Sequence, residues 1–339
     1  MTDAQSPRPL LEVENLAVAL HLRRGDVRPV DGVSLTIREG ETLGIVGESG
    51  SGKSMTGSAL LGLLPNRVPA SVTGRAWLDG EDLLTLSERE LQRRIRGRRI
   101  ALIAQDPMMS LNPVWSVGDQ VAGPLRHHGL VGSRAEARER AVGLLERVAI
   151  PSARERLDEY PHQFSGGMRQ RAVAAMALGC EPRLLIADEP TTALDVTIQL
   201  QVMSLLKRLQ RETGVGIMLI THDLGVAAGL CHRIAVMYGG RIVETGPTDD
   251  ILARPEHPYT RALIEAAPRM GARRERLRAI PGQPPSALQA MEGCRFAPRC
   301  PHAMEICRRR RPEPLRLGRE RTVECWLADA TTQAEDADA

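Results

Sequence analysis

Short apolar runs, each followed after a turn by a stretch with helical spacing, recur along the chain. That alternation predicts an α/β fold with a largely parallel sheet, since buried parallel strands need crossover helices. Residues 10–14 and 16–22 read as early strands ahead of a turn at 24–26, and 33–37 and 42–46 as two more. Residues 55–64 read as a helix ended by Pro65, and 99–104 as a buried strand. From about 116 to 156 the pattern turns helical, with Ala, Glu, Arg and Leu dominant and no strand signal. It predicts a helical subdomain, placed at about 106–165, inserted in the α/β core. The alternation resumes with a helix at 167–179, a strand at 184–188, a helix at 196–212 and a strand at 216–220. Prolines become frequent after about residue 246, so the expected organisation is a main domain over 10–250 and an extension over 251–330. Flanking them are a flexible N-terminus (1–9) and an acidic tail (331–339) too polar to fold.

Composition narrows the class. The chain has 339 residues, 42% of them hydrophobic but only 2% aromatic, so its core must rest on aliphatic side chains. A net charge of +3 gives no support for a general nucleic-acid binder. The arginine clusters at 93–99 and 308–311 read as solvated faces. No apolar run approaches the roughly 18 residues of a membrane span, and the polar start lacks a signal-peptide core. The expectation is a protein made in the cytosol, where six cysteines are poor candidates for structural disulfides.

Residues Gly47-Glu48-Ser49-Gly50-Ser51-Gly52-Lys53-Ser54 fit the spacing G-x-x-x-x-G-K-[ST], after an apolar run and before a helix that continues through Met55. Glycines at 47, 50 and 52 let backbone wrap an anion closely, and successive N–H groups backed by a helix N-terminus form a phosphate nest. Lys53 supplies charge for the β- and γ-phosphates, and the Ser54 hydroxyl is a hard oxygen suited to Mg²⁺. A glycine-rich turn that happens to carry a lysine would not explain the strand before and the helix after. Downstream, the run 184–187 ends in Asp188-Glu189. A carboxylate at the C-terminal end of a parallel strand lies where such sheets bind ligands. Asp188 suits Mg²⁺, and Glu189 suits a general base for an attacking water.

Gln163-Phe164-Ser165-Gly166-Gly167-Met168-Arg169-Gln170-Arg171 resembles the signature sequence of ABC ATPases, one helix ahead of Asp188. Its physical sense is a second helix N-terminus, with Ser165 and the Gly166 and Gly167 amides facing a phosphate. Gln105 resembles the family's Q-loop glutamine, Ala193-Leu194-Asp195 its D-loop, and His222 its switch histidine. Two departures are Met168 in place of glutamine, and Leu20 beside His21 where an aromatic usually stacks on adenine. The resemblance implies a P-loop NTPase (RecA-like) core with an inserted helical subdomain, a small antiparallel β part and a C-terminal cysteine-bearing extension. It implies catalysis by Glu189, His222, Gln105 and Lys53, with Mg²⁺ held through Ser54, Gln105 and Asp188. Two subunits would sandwich two ATP molecules, each between residues 47–55 of one and Ser165, Gly166, Gly167 and Asp195 of the other.

The extension narrows the resemblance. Residues 105–113, 257–263, 280–285 and 293–301 resemble the ATPases of oligopeptide, dipeptide and nickel importers. This implies a homologous partner ATPase, two transmembrane permease subunits, an external solute-binding protein and a peripheral place on the cytoplasmic face of the inner membrane. A nickel or other small-solute importer is the alternative cargo. A soluble ABC ATPase working on DNA or ribosomes is the other class, but such chains usually carry two cassettes or a long coiled coil. Cys294, Cys300, Cys307 and Cys325, spaced C-x5-C-x6-C-x17-C, suggest four thiolate ligands, for a [4Fe–4S] cluster first and Zn²⁺ second. Free thiols packing a small extension are the plainer reading. Cys180 and Cys231 read as buried core residues.

Overall fold

The computed structural model describes residues 9–65, 67–105, 110–191, 196–267, 280–285, 291–318 and 320–329. In chain order the first half holds β1 (Leu11–Leu22), β2 (Gly25–Ile37), β3 (Thr42–Val46), α1 (Lys53–Leu60), β4 (Ala70–Leu78), β5 (Glu81–Asp82), α2 (Glu88–Glu90) and β6 (Ile100–Ile103). Then come α3 (Val117–His127), α4 (Arg134–Arg147), α5 (Gly166–Leu178), β7 (Leu184–Asp188), α6 (Val196–Thr213) and β8 (Gly216–Thr221). The remainder comprises α7 (Leu224–Leu230), β9 (Arg233–Tyr238), β10 (Arg241–Pro247), α8 (Thr248–Ala253), α9 (Pro258–Ala266), α10 (Glu305–Arg309), β11 (Leu315–Arg316) and β12 (Thr322–Val323).

These elements form two compact units. The first draws on Met1–Leu11, Ile37–Glu41 and Leu78–Leu219, the second on Glu12–Thr36, Thr42–Trp77 and Ile220–Ala339. The second unit takes residues from both the 10–250 and the 251–330 stretches.

In the first unit β6 and β7 pair in parallel, Ile100 opposite Leu184 and Ile103 opposite Ala187, with β8 beside β7. All five residues of β7 and all six of β8 are buried, which is why both read as continuous apolar runs. Helices α3, α4 and α5 pack on one another. Each starts at a serine whose hydroxyl accepts a main-chain N–H three residues on: Ser116 from Asp119, Ser133 from Glu136, Ser165 from Met168. Helical structure begins earlier than predicted, with α2 and a π-turn over Leu91–Ile95. The arginine run hid it. Several of those arginines are exposed or half-buried partners of acids, Arg94 and Arg99 of Glu81, and Arg96 of Glu88.

In the second unit one sheet runs β11-β12-β10-β9-β3 and another β2-β1-β4. Strand β3 pairs in parallel with β9, while β9–β10, β10–β12 and β12–β11 are antiparallel. Two predicted early strands are one strand, β1, which passes through a left-handed Asn15 (φ +49°) without ending. Helix α1 stops at Leu60, well before Pro65. Strand β4 went unpredicted, being mostly exposed, and so did β11 and β12, two residues each. The extension thus adds two strands to the edge of β10.

Candidate functional site

The phosphate-loop spacing folds into a strand, a tight loop and a helix. Strand β3 is buried throughout and delivers the chain to Gly47, and α1 starts at Lys53. The three glycines have different reasons to be glycine. A Cβ on Gly47 would lie 2.1 Å from the Met237 carbonyl oxygen, and one on Gly52 would lie 2.0 Å from that of Pro29. Gly50 meets nothing, yet its φ of +78° is the left-handed conformation that glycine adopts cheaply. Lys53 is buried, and its Nζ donates to the carbonyl oxygens of Gly47 and Glu48, both at 2.8 Å, and to Ser51 Oγ at 3.4 Å. The ammonium is therefore aimed into the loop. Ser49 is exposed, Ser54 and Met55 half-buried.

Residues from the distant extension hold the loop. The Glu48 N–H donates to the Tyr259 hydroxyl at 2.8 Å. Arg299 grips the Glu48 carboxylate with both terminal nitrogens, at 2.7 and 3.0 Å. The same guanidinium donates to the Tyr238 hydroxyl (3.2 Å) and to the carbonyls of Ile280 (3.3 Å) and Pro281 (2.8 Å). The Glu48 hydrogen bonds raise the Arg299 pKa, whereas burial pushes the Tyr259 and Tyr238 hydroxyls up. Tyr238, Tyr259 and Phe296 form a buried aromatic trio with ring centroids 4.5 to 5.4 Å apart. Sequence reasoning missed Tyr259 and Arg299 altogether. The only available signal was that 257–263 and 293–301 match a family pattern, which does not say what they touch.

The acidic residues lie in the first unit. Asp188 ends β7 and is buried, and Glu189 follows with a left-handed φ of +46°. Gln105, exposed just past β6, donates from Nε2 to Glu189 Oε2 at 3.4 Å. Ser165 is exposed at the start of α5; a Cβ on Gly166 would meet nothing, and one on Gly167 would lie 3.2 Å from Ile198 Cδ1. In the second unit His222 is exposed between β8 and α7. There too His21 is exposed, its ring nitrogens on Asp26 (2.9 Å) and Ser71 (3.2 Å). Asp195 and its neighbours Ala193 and Leu194, and residues 106–109 of the 105–113 stretch, lie outside the described residues.

The four C-terminal cysteines border one cavity of about 10 Å³ together with His257, His302 and Phe296. Burial pushes the thiols of Cys294 and Cys325 up to about 11 and about 12, and that of Cys300 in the same direction. Among the described residues no group of three or more His, Cys, Asp or Glu could hold a metal ion. The expected iron–sulfur or zinc centre finds no support in this arrangement. The fold brings the cysteines to one place, but nothing in their spacing sets where each sulfur points. Cys180 and Cys231 are buried as expected.

Residues 30–192 match the family model described as ABC transporter, and residues 243–307 the one described as oligopeptide/dipeptide transporter, C-terminal region. The chain is 52% identical over 310 residues to the oligopeptide transport ATP-binding protein OppD of Salmonella typhimurium, covering 90% of this chain and 91% of that one. The chain belongs to this family of ABC transporter ATP-binding proteins. Another member, the dipeptide transport ATP-binding protein DppD of Bacillus subtilis, is 48% identical, with 94% of this chain and 95% of that one covered. The family's cassette fold extends to solved structures. The ATP-binding cassette MJ0796, in a dimeric post-hydrolysis state bound to ADP and Pi, aligns with a TM-score of 0.61 at 28% identity, covering 70% of this chain and 98% of that one. CbiO1 from Clostridium perfringens, part of an ABC transporter complex, gives 0.61 at 28%, covering 73% and 92%. As a member the protein binds and hydrolyses ATP. Among its described residues no helix is long and apolar enough to cross a membrane.

Proposed function

We propose that this chain is the ATP-hydrolysing subunit that drives a membrane permease in the uptake of oligopeptides and dipeptides. The observation that carries the reading is Lys53, buried with its ammonium turned into a loop between a buried strand and a helix. The curated relatives match over nine-tenths of the chain and are peptide-transport ATP-binding proteins by name, which supports peptides over nickel as cargo.

Amides of residues 49–55 and Lys53 take the phosphates, so the triphosphate's charge meets fixed dipoles rather than reorganising water. Ser54 and Asp188, with Gln105, supply hard oxygens that suit Mg²⁺, which when bound neutralises phosphate charge. Glu189 orients the attacking water and takes its proton, and Gln105, hydrogen-bonded to it, fixes its direction. His222 contacts the γ-phosphate. The helix start at Ser165, Gly166 and Gly167, with Asp195, closes over the nucleotide of a second, homologous subunit; the dimeric solved relative supports that arrangement. Membrane association is peripheral, through two permease subunits fed by an external solute-binding protein.

Glu189→Gln is the test. It should lower steady-state ATP turnover by about 10²- to 10⁴-fold while the assembly still binds Mg·ATP. Undiminished turnover would refute the assigned base.

A further inference from the structure

Every polar group of Glu48, the second residue of the phosphate loop, is engaged. Its carbonyl oxygen accepts from Lys53 Nζ, its N–H donates to Tyr259, and its carboxylate is held by both terminal nitrogens of Arg299. The first contact leads to the ammonium that meets the phosphates. The other two come from the extension, 211 and 251 residues away in sequence.

Arg299 is built to hold still. Its side chain is only 4% exposed, and its fork binds a planar carboxylate at two points. Carbonyls of Ile280 and Pro281 and the Tyr238 hydroxyl occupy its other donors. Tyr238 ends β9, the parallel neighbour of β3, so the arginine is braced against the sheet that carries the loop. Charge points the same way. Unpaired, the Glu48 carboxylate would place a negative charge within a loop meant for a triphosphate. So little exposed a partner is weakly screened.

We infer that Arg299 is a positioning residue for nucleotide binding. From the C-terminal extension it fixes Glu48, offsets its charge and thereby sets the carbonyl against which Lys53 is aimed. The extension is then part of the nucleotide site's support rather than an appendage. This rests on the proposed function above and deepens it.

The experiment measures ATP hydrolysis against Mg·ATP concentration for the full chain assembled with its companion subunits. Arg299→Ala should raise KM about tenfold while kcat at saturation stays within about threefold, because the residue acts on binding and touches no reacting atom. Arg299→Lys, which keeps the charge without the fork, should fall between it and wild type. Adding Glu48→Gln to Arg299→Ala should recover part of the loss, since the stranded carboxylate is gone. An unchanged KM in Arg299→Ala overturns the inference. So does a parallel loss of kcat and folded protein that neither Arg299→Lys nor Glu48→Gln relieves, which is what a merely structural arginine would give. A wild-type assembly that hydrolyses no ATP sinks the proposed function instead, before any variant is compared.

Discussion

Three glycines of one loop make separate demands. Gly47 has no room, with the Met237 carbonyl where its Cβ would go, whereas Gly50 has room but the wrong sign of φ for a side chain. Gly50→Ala should therefore cost about 1–2 kcal/mol, the ordinary penalty of a left-handed alanine. Gly47→Ala, which must push backbone apart, should cost about 3 kcal/mol or more. Urea denaturation of the two variants in parallel checks the order; equal losses would mean the strand behind the loop yields freely. Spacing alone named both residues, but not which of them the neighbouring strand crowds. Glu189 is a similar case: its place after a buried strand was legible, its left-handed backbone was not.

At the scale of elements, short helices in the second unit depend on what their ends touch. Helix α9 begins at His257, whose Nδ1 accepts the Tyr259 N–H at 3.0 Å, while the His257 N–H is held by Glu244, itself paired with the buried Arg321. His257 is fully buried, and burial lowers its pKa to about 3 from an ordinary 6.5. The folded chain keeps the imidazole neutral where the unfolded chain takes a proton. Its contribution is complete above pH 6.5 and is lost as pH falls from there towards 3, with a slope of at most about 1.4 kcal/mol per unit. His257→Asn keeps a capping acceptor but does not titrate, so its stability should fall less steeply between pH 7 and 5 in denaturant titrations. Caps of this local kind are readable: Ser165 precedes the helix predicted at 167–179, and Ser116 and Ser133 lie at the start of and within the stretch 116–156 that reads as helical. Strands β11 and β12 are not, since two residues carry no period and exist because β10 offers an edge.

For the whole molecule, a ligand that binds only the folded state stabilises it by mass action. Mg·ATP at a hundredfold excess over Kd should add about 2.7 kcal/mol. Thermal unfolding should shift upward by a few degrees with Mg·ATP and should not shift in Lys53→Ala; equal shifts in both would place the nucleotide elsewhere. What the amino-acid order determined by itself is the local chemistry. A strand-loop-helix phosphate cradle, a capped Ser-Gly-Gly helix start and a strand ending in Asp-Glu all depend on residues a few positions apart. Backbone geometry over such distances follows from residue type. What only tertiary structure decided is which remote groups close on that chemistry: Tyr259 and Arg299 on Glu48, the crowding of Gly47 by Met237, and four cysteines gathered round a cavity without a metal-holding arrangement. Those contacts span tens to hundreds of residues, and no local periodicity encodes them. They are set when packing brings distant segments to one place and fixes the direction of each side chain.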